Sequence, residues 1–276
     1  DTFLNVLLNI EGAHAFGNAL PLPEIQQGRT NKHQTDTHNV AIATPICTNI
    51  KDYRTNFGLP LFSVGICHHF WNGLAGHARS LASLLENVVN QEEGLNGPLL
   101  DTGRVVIDEF NKTDYDGKNV SKVIVDIKHM SPQCRKDYYT YKKSKSALRN
   151  NPVFCSHTGI NMSFETLNEW NDYVKLNPME KTGKRYEEGS YYLHEQSINL
   201  CREDLVEIYN SNGLLGIQLD EKRIMGPLAL KELKLRTDVG GGTEQKYVYA
   251  KAIWANIFCA VDELKRSGIS NIKQAW

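Results

Sequence analysis

Short apolar runs alternate with longer amphipathic stretches along most of this chain, and that alternation limits the folds open to it. Phe3–Ile10, Leu61–Ile66, Val123–Ile127, Val153–Cys155 and Leu214–Leu219 are apolar runs without a helical period. Such runs read as strands buried on both faces. Between them, Ala78–Gln91 places Leu81, Leu84, Leu85, Val88 and Val89 at helix spacing. Asp101–Phe110 carries Val105, Val106 and Phe110 on one stripe, with Asp101 or Thr102 as the cap. Ser131-Pro132 is a helix start with proline in the first turn. Arg202–Asn210 and Lys246–Arg266 complete the helices, the latter burying Ile253, Ile257, Val261 and Leu264. Strand, helix, strand, helix is the α/β pattern, met by a barrel or by an open doubly wound sheet, and periodicity does not choose between them.

Other features narrow the function. The 276 residues suffice for one large domain. A net charge of -1 gives no reason to expect a nucleic-acid partner, and no apolar run reaches the roughly 20 residues of a transmembrane helix. Six cysteines, at 47, 67, 134, 155, 201 and 259, form no CxxC pair and read as reduced thiols, which favours a cytoplasmic setting. Gly240–Gly242 follows no strand, so a nucleotide-binding loop has little support. Gly159–Ser197 fits no regular element and reads as an insertion or lid at about 159–197. Asp1 leads almost directly into an apolar run, and the chain stops after a helix where a strand is due, so the sequence reads as an internal fragment.

The chemistry is concentrated just past the strands. The first run ends in Glu11, the second in Cys67-His68-His69, the third in Asp126-Ile127-Lys128-His129 and the fourth in Ser156-His157. A barrel gathers the C-terminal ends of its strands at one face, where its active site lies. Carboxylate and neutral imidazole suit zinc and similar divalent ions. Each residue alone has a plainer explanation, a hydrogen-bonded structural histidine or a solvated turn glutamate; the joint pattern points to a metal site.

Five segments resemble, in order, the membrane (renal) dipeptidase family of the amidohydrolase superfamily. Ile10-Glu11-Gly12-Ala13-His14 is similar to its EGGH segment, and Val125–Ser131 to its VDLSHVS. Pro152–Thr158 is similar to PVIFSHS, Asn199–Leu205 to RNVPDDVL and Gly213–Ile217 to GGVVGV. The resemblance implies an α/β fold, a (β/α)8 TIM barrel that is incomplete in this chain, with residues 1–276 forming a single partial domain and its N- and C-terminal strands missing. It implies two zinc ions, with Glu11 bridging them and His129 and His157 on the second. His68 then polarises the substrate carbonyl, with His69 as the rival for that role. The activity implied is hydrolysis of an amide bond in a small or dipeptide-like substrate, by a protein that forms a homodimer; the fragment alone would be inactive.

The departures from the family bear on that expectation. No HxD pair for the first metal and no GSDFDG segment occur in these 276 residues, so both are expected beyond the ends. Ile198 stands where the family has a substrate-binding arginine, which leaves Arg185 or Arg202 to replace it and puts dipeptide specificity in question. A lactone or N-acyl substrate, or a degenerate barrel that only binds a ligand or partner, are the alternatives. Lys128 replaces a serine and is expected to face outward or to sit behind the ligands, a carboxylated lysine ligand being the rival. Phe70 and Trp71 either line a substrate pocket or pack under a loop, and His77 is expected to begin or cap the helix that follows.

Overall fold

A computed structural model describes residues 7–17, 40–57, 60–80, 91–176 and 192–272. The chain divides into two compact units, Asp1–Phe154 and Cys155–Trp276.

In the first unit, strands β1 (Leu8–Ile10), β2 (Leu61–Gly65) and β5 (Ile124–Asp126) pair side by side in parallel. Asp126 pairs in turn with Phe154, the first residue of β6 (Phe154–Thr158). Val64, Ile66, Val125 and Ile127 are buried, as expected of continuous apolar strands. Helix α1 (Val40–Asn56) and helix α2 (Asp101–Phe110) pack against each other. The sequence reading did not single out α1, because Pro45 falls inside it. Its buried residues Ala43, Ile46 and Ile50 nevertheless keep helix spacing. Helix α2 has the predicted bounds, but its cap is Leu100 with no side-chain bond, and Val105 is exposed while Val106, Ile107 and Phe110 are buried.

A short antiparallel hairpin, β3 (Asp114–Tyr115) and β4 (Lys118–Asn119), follows α2. Its turn residues Asp116 and Gly117 both have positive φ, 55° and 85°, which is the geometry an Asp-Gly hairpin turn requires. Arg54 of α1 clamps this hairpin, donating to the Tyr115 hydroxyl and to the carbonyls of Glu109, Lys112 and Ser121. Helix α3 (Pro132–Ser144) starts as predicted: the Ser131 hydroxyl accepts from Cys134 N at 2.9 Å, with Pro132 in the first turn. A one-turn helix α4 (Ser146–Arg149) leads on to β6.

In the second unit β6 continues to Thr158 and is neighboured by β7 (Leu214–Ile217). The stretch expected to lack regular structure contains helix α5 (Leu167–Leu176), while residues 177–191 of the expected lid lie outside the described residues. Residues 3–6 of the first expected strand and 81–90 of the expected helix Ala78–Gln91 also lie outside them. Helix α6 (Arg202–Asn210) matches its expected bounds and is followed by the short α7 (Glu221–Ile224), capped by the Asp220 side chain through Lys222 N at 3.0 Å.

The last segment, α8 (Pro227–Arg266), is helical over 40 residues but is not straight. Lys251 Nζ lies 2.7 Å from Glu232 Oε2, although the two are 19 residues apart. A straight helix rising 1.5 Å per residue would separate them by about 28 Å. The helix therefore doubles back around Gly240–Gly242, and Ala229 of one arm joins Val248 and Ala252 of the other in a core with Ile224 and Met225. In the returning arm Ala252, Asn256, Cys259, Ala260 and Leu264 are buried; Ile257 and Val261 are only half-buried, so the stripe is rotated from the expected one. No helix among the described residues is long and apolar enough to cross a membrane.

Two outcomes follow. Replacing Ser131 with Ala removes the α3 cap and a bond to Gly97 O, and should lower the denaturant-derived stability by about 1–2 kcal/mol. His194 is held down to about 3 by burial and then by Arg223, with its Nδ1 accepting from Gln196 N. The native imidazole stays neutral between its ordinary value and about 3, whereas the unfolded one takes a proton there. Stability should thus fall as pH drops below about 6.5, at most roughly 1.4 kcal/mol per pH unit. Urea melts from pH 7 to pH 5 should show a shallower pH slope in His194→Asn.

Candidate metal centre

Parallel register carries the predicted residues to one edge of the first unit's sheet. Ile10 stands opposite Val64, and Gly65 opposite Asp126. The chain leaving each strand end therefore presents Glu11, His68-His69 and His129 side by side. The structure brings these four together. His68 Nε2 lies 2.8 Å from Glu11 Oε2, and His129 Nε2 lies 3.7 Å from the same oxygen. The rings of His68 and His69 are 3.7 Å apart, and His129 stands edge-on to both, at 4.5 and 4.8 Å. One donor nitrogen from each of His68, His69 and His129 falls within 4.8 Å of the other two.

Each side chain is held by identifiable contacts. His129 is almost wholly buried and sits at φ +68°, a left-handed backbone uncommon outside glycine and costly enough to need support. That support is a tight turn, Met130 N to Ile127 O at 3.1 Å, and a bond from Ala78 N to the His129 carbonyl at 2.8 Å. Ser131 N then donates to Gly76 O. Asp126, buried beneath this loop, accepts from Lys128 N and from Asn9 Nδ2, while the Ser63 hydroxyl donates to Asn9 Oδ1. His69 Nδ1 lies 2.6 Å from the buried Ser80 hydroxyl, and Gln91 Nε2 donates both to that hydroxyl and to the His69 carbonyl.

Glu11 is followed by Gly12 at φ +105°, where the His14 ring packs directly over the glycine and against Phe70, 4.9 Å between centroids. Burial lowers the pKa of His14 to about 4, and the nearby His68 pushes in the same direction. Burial likewise holds His129 well below the ordinary histidine value; the nearby Glu11 carboxylate opposes this, and Lys128, His68 and His69 add to it. A buried imidazole kept neutral offers a lone pair, so the donor set of one carboxylate and neutral imidazoles fits zinc or a similar divalent ion.

His157 lies on β6 in the second unit, its Nδ1 2.8 Å from the Ser156 hydroxyl. Lys128 departs from the outward alternative: it is buried. Of the two aromatic residues, Phe70 stands beside the site through His14, while Trp71 is buried against Gly94. His77 is a fully buried residue bridged to Met130 and Leu95, its ring nitrogens facing the Ala78 and Glu93 carbonyls. Arg202 is engaged by Glu263 and, at 2.9 Å, by Glu165, so it is committed within its own unit; Arg185 lies outside the described residues. His69 is expected from the sequence only as a rival of His68; the His-His doublet is visible there, but the partners that fix it, Ser80 and Gln91, come from 11 and 22 residues further on.

A scan of family models and a search of curated proteins gave no match. Among solved structures, the chain aligns with the crystal structure of the probable dipeptidase PvdM from Pseudomonas aeruginosa, at 13% identity and a TM-score of 0.40. The alignment covers 81% of this chain and 52% of that one, so the chain spans about half the length of that protein.

A methyl group at Gly12 would stand 2.2 Å from His14 Cε1, on a backbone that other residues rarely adopt. Gly12→Ala should therefore lower stability by about 1–3 kcal/mol, read by urea denaturation, and displace the His14 ring, read by its imidazole NMR shifts.

Proposed function

We propose that this protein is a metal-dependent hydrolase that cleaves an amide bond in a small, dipeptide-like substrate. The observation that supports this most is the meeting of Glu11, His68, His69 and His129 at the ends of neighbouring parallel strands, with His129 Nε2 3.7 Å from Glu11 Oε2, near the spacing of two ligands on one ion. The ordered motifs that resemble the renal dipeptidase family add His157 to the set and suggest an incomplete (β/α)8 barrel as the scaffold. In this reading Glu11, His129 and His157 hold zinc, two ions when the set is complete, and His68 faces the substrate.

When bound, the ions supply Lewis acidity and lower the pKa of a water molecule towards neutrality. The remaining work falls to the protein's own groups. His129, buried and neutral, presents its lone pair without first losing a proton. Glu11 accepts a hydrogen bond from His68 at 2.8 Å, which fixes the orientation of that imidazole. His68 then meets the negative charge that develops on the carbonyl oxygen, lowering the barrier rather than only aiding binding. Phe70, beside His14, supplies an apolar wall that excludes water from this side.

Zinc content after dialysis, measured for the full-length protein and for its Glu11→Gln, His129→Ala and His157→Ala variants, tests the reading. Bound zinc should fall at least tenfold in each variant, and a panel of dipeptides, lactones and N-acyl amino acids should show cleavage of the dipeptides with zinc and none after chelation. Equal zinc in all four proteins would remove the proposal; turnover confined to lactones or N-acyl compounds would keep the metal and change the bond.

A further inference from the structure

The family resemblance gives His68 to the substrate, with His69 as its rival for that role, and makes neither a metal ligand. We propose that His69 is a metal ligand in its own right, sharing an ion with Glu11 and His129 in a two-imidazole, one-carboxylate set contained within the first unit. The inference rests on the metallohydrolase reading and adds to it a ligand that the motifs do not supply.

Spacing separates the roles of the two adjacent histidines. Two donors on one tetrahedral zinc, with bonds of about 2.0–2.1 Å, stand about 3.3 Å apart. His129 and Glu11 are at 3.7 Å, a few tenths of an ångström from that value. His68 and His69 each have a donor nitrogen within 4.8 Å of one on His129, so the distance to His129 suits both and the contact with Glu11 distinguishes them. His68 stands at 2.8 Å from Glu11, closer than two ligands of one ion and typical of a hydrogen bond. His68 therefore belongs with the carboxylate as its hydrogen-bond partner, and His69 belongs with the ion.

The surroundings of His69 are those of a ligating imidazole. A coordinating histidine commonly donates its other N–H to a fixed oxygen, which sets the tautomer and the ring's orientation. Here Nδ1 faces the Ser80 hydroxyl at 2.6 Å, so Nε2 is the nitrogen that would coordinate. Ser80 is itself held by Gln91, whose amide donates to its hydroxyl at 3.2 Å and to the His69 carbonyl at 2.7 Å. Ser80 and Gln91 are both buried, so this bracket is shielded from competing water. A hydroxyl accepts at two lone pairs, which lets Ser80 serve Gln91 and the imidazole together.

Cobalt(II) and zinc binding to the full chain test the inference, read by chelator competition, by the visible cobalt bands and by the count of hyperfine-shifted imidazole N–H signals. His69→Ala should weaken binding by roughly 100-fold or more and remove one shifted signal. Ser80→Ala should weaken it by roughly 10–100-fold while keeping every signal. His68→Phe should change affinity less than tenfold. Should His69→Ala fail to fold, a tenfold or greater loss in Ser80→Ala, with circular dichroism unchanged, supports the proposal. Unchanged affinity and signal count in His69→Ala, or unchanged affinity in Ser80→Ala where His69→Ala does not fold, overturns it. In that case, loss of the ion in Glu11→Gln and His129→Ala leaves the metallohydrolase reading standing. A wild-type chain that takes up neither metal overturns both.

Discussion

Parallel strand register is the constraint on which the candidate centre depends. With Ile10 opposite Val64 and Gly65 opposite Asp126, the three strands of the first unit end at nearly the same level. The residues one to four positions beyond each end are then forced into proximity, whatever their chemistry. A slip of one residue in any pair would turn the following side chains to the opposite face. Buried Val64 and Val125 resist that slip, since it would unseat their packing and break the Ser63–Asn9–Asp126 hydrogen bonds, so the packing of an apolar core indirectly fixes the positions of polar groups at its rim.

The rim adds its own rigidity. His129 holds a left-handed backbone only because the turn around it and the bond from Ala78 specify it. Ser131 continues the same scheme, using its backbone N–H on Gly76 and its hydroxyl on Gly97 and the first turn of α3. The loop bearing His129 is thus tied to Gly76, Ala78 and Gly97 on one side and to a helix on the other. Such pre-organisation means that little ordering remains to be done when a ligand arrives.

Much of this was legible in the sequence, and the omissions have physical causes. Glu11, His68 and His129 could be read because each lies just past an apolar run, and strand ends meet in any parallel sheet. The Ser131-Pro132 helix start was readable because capping is local. The Asp116-Gly117 turn carried an equally local signal that went unused. His69 could not be given a role because its orientation comes from Ser80 and Gln91, and no periodicity links those positions. Helix α1 was hidden by Pro45, whose local cost is outweighed by the burial of Ala43, Ile46 and Ile50. Val105 was misassigned since a ten-residue helix fixes its stripe only to within a residue.

The doubled-back helix at the end of the chain has a mechanical consequence. Three successive glycines contribute no side chains to set the angle between its arms. The angle is set by contacts across the bend: the apolar cluster around Ala229 and Val248, and the exposed or half-exposed ion pairs Glu232–Lys251 and Arg236–Glu244. Counter-ions weaken charge pairs of that kind and leave apolar packing intact. The stiffness of this hinge is therefore a function of the surrounding electrolyte: tightly sprung in dilute buffer, and held by its greasy seam alone in concentrated salt.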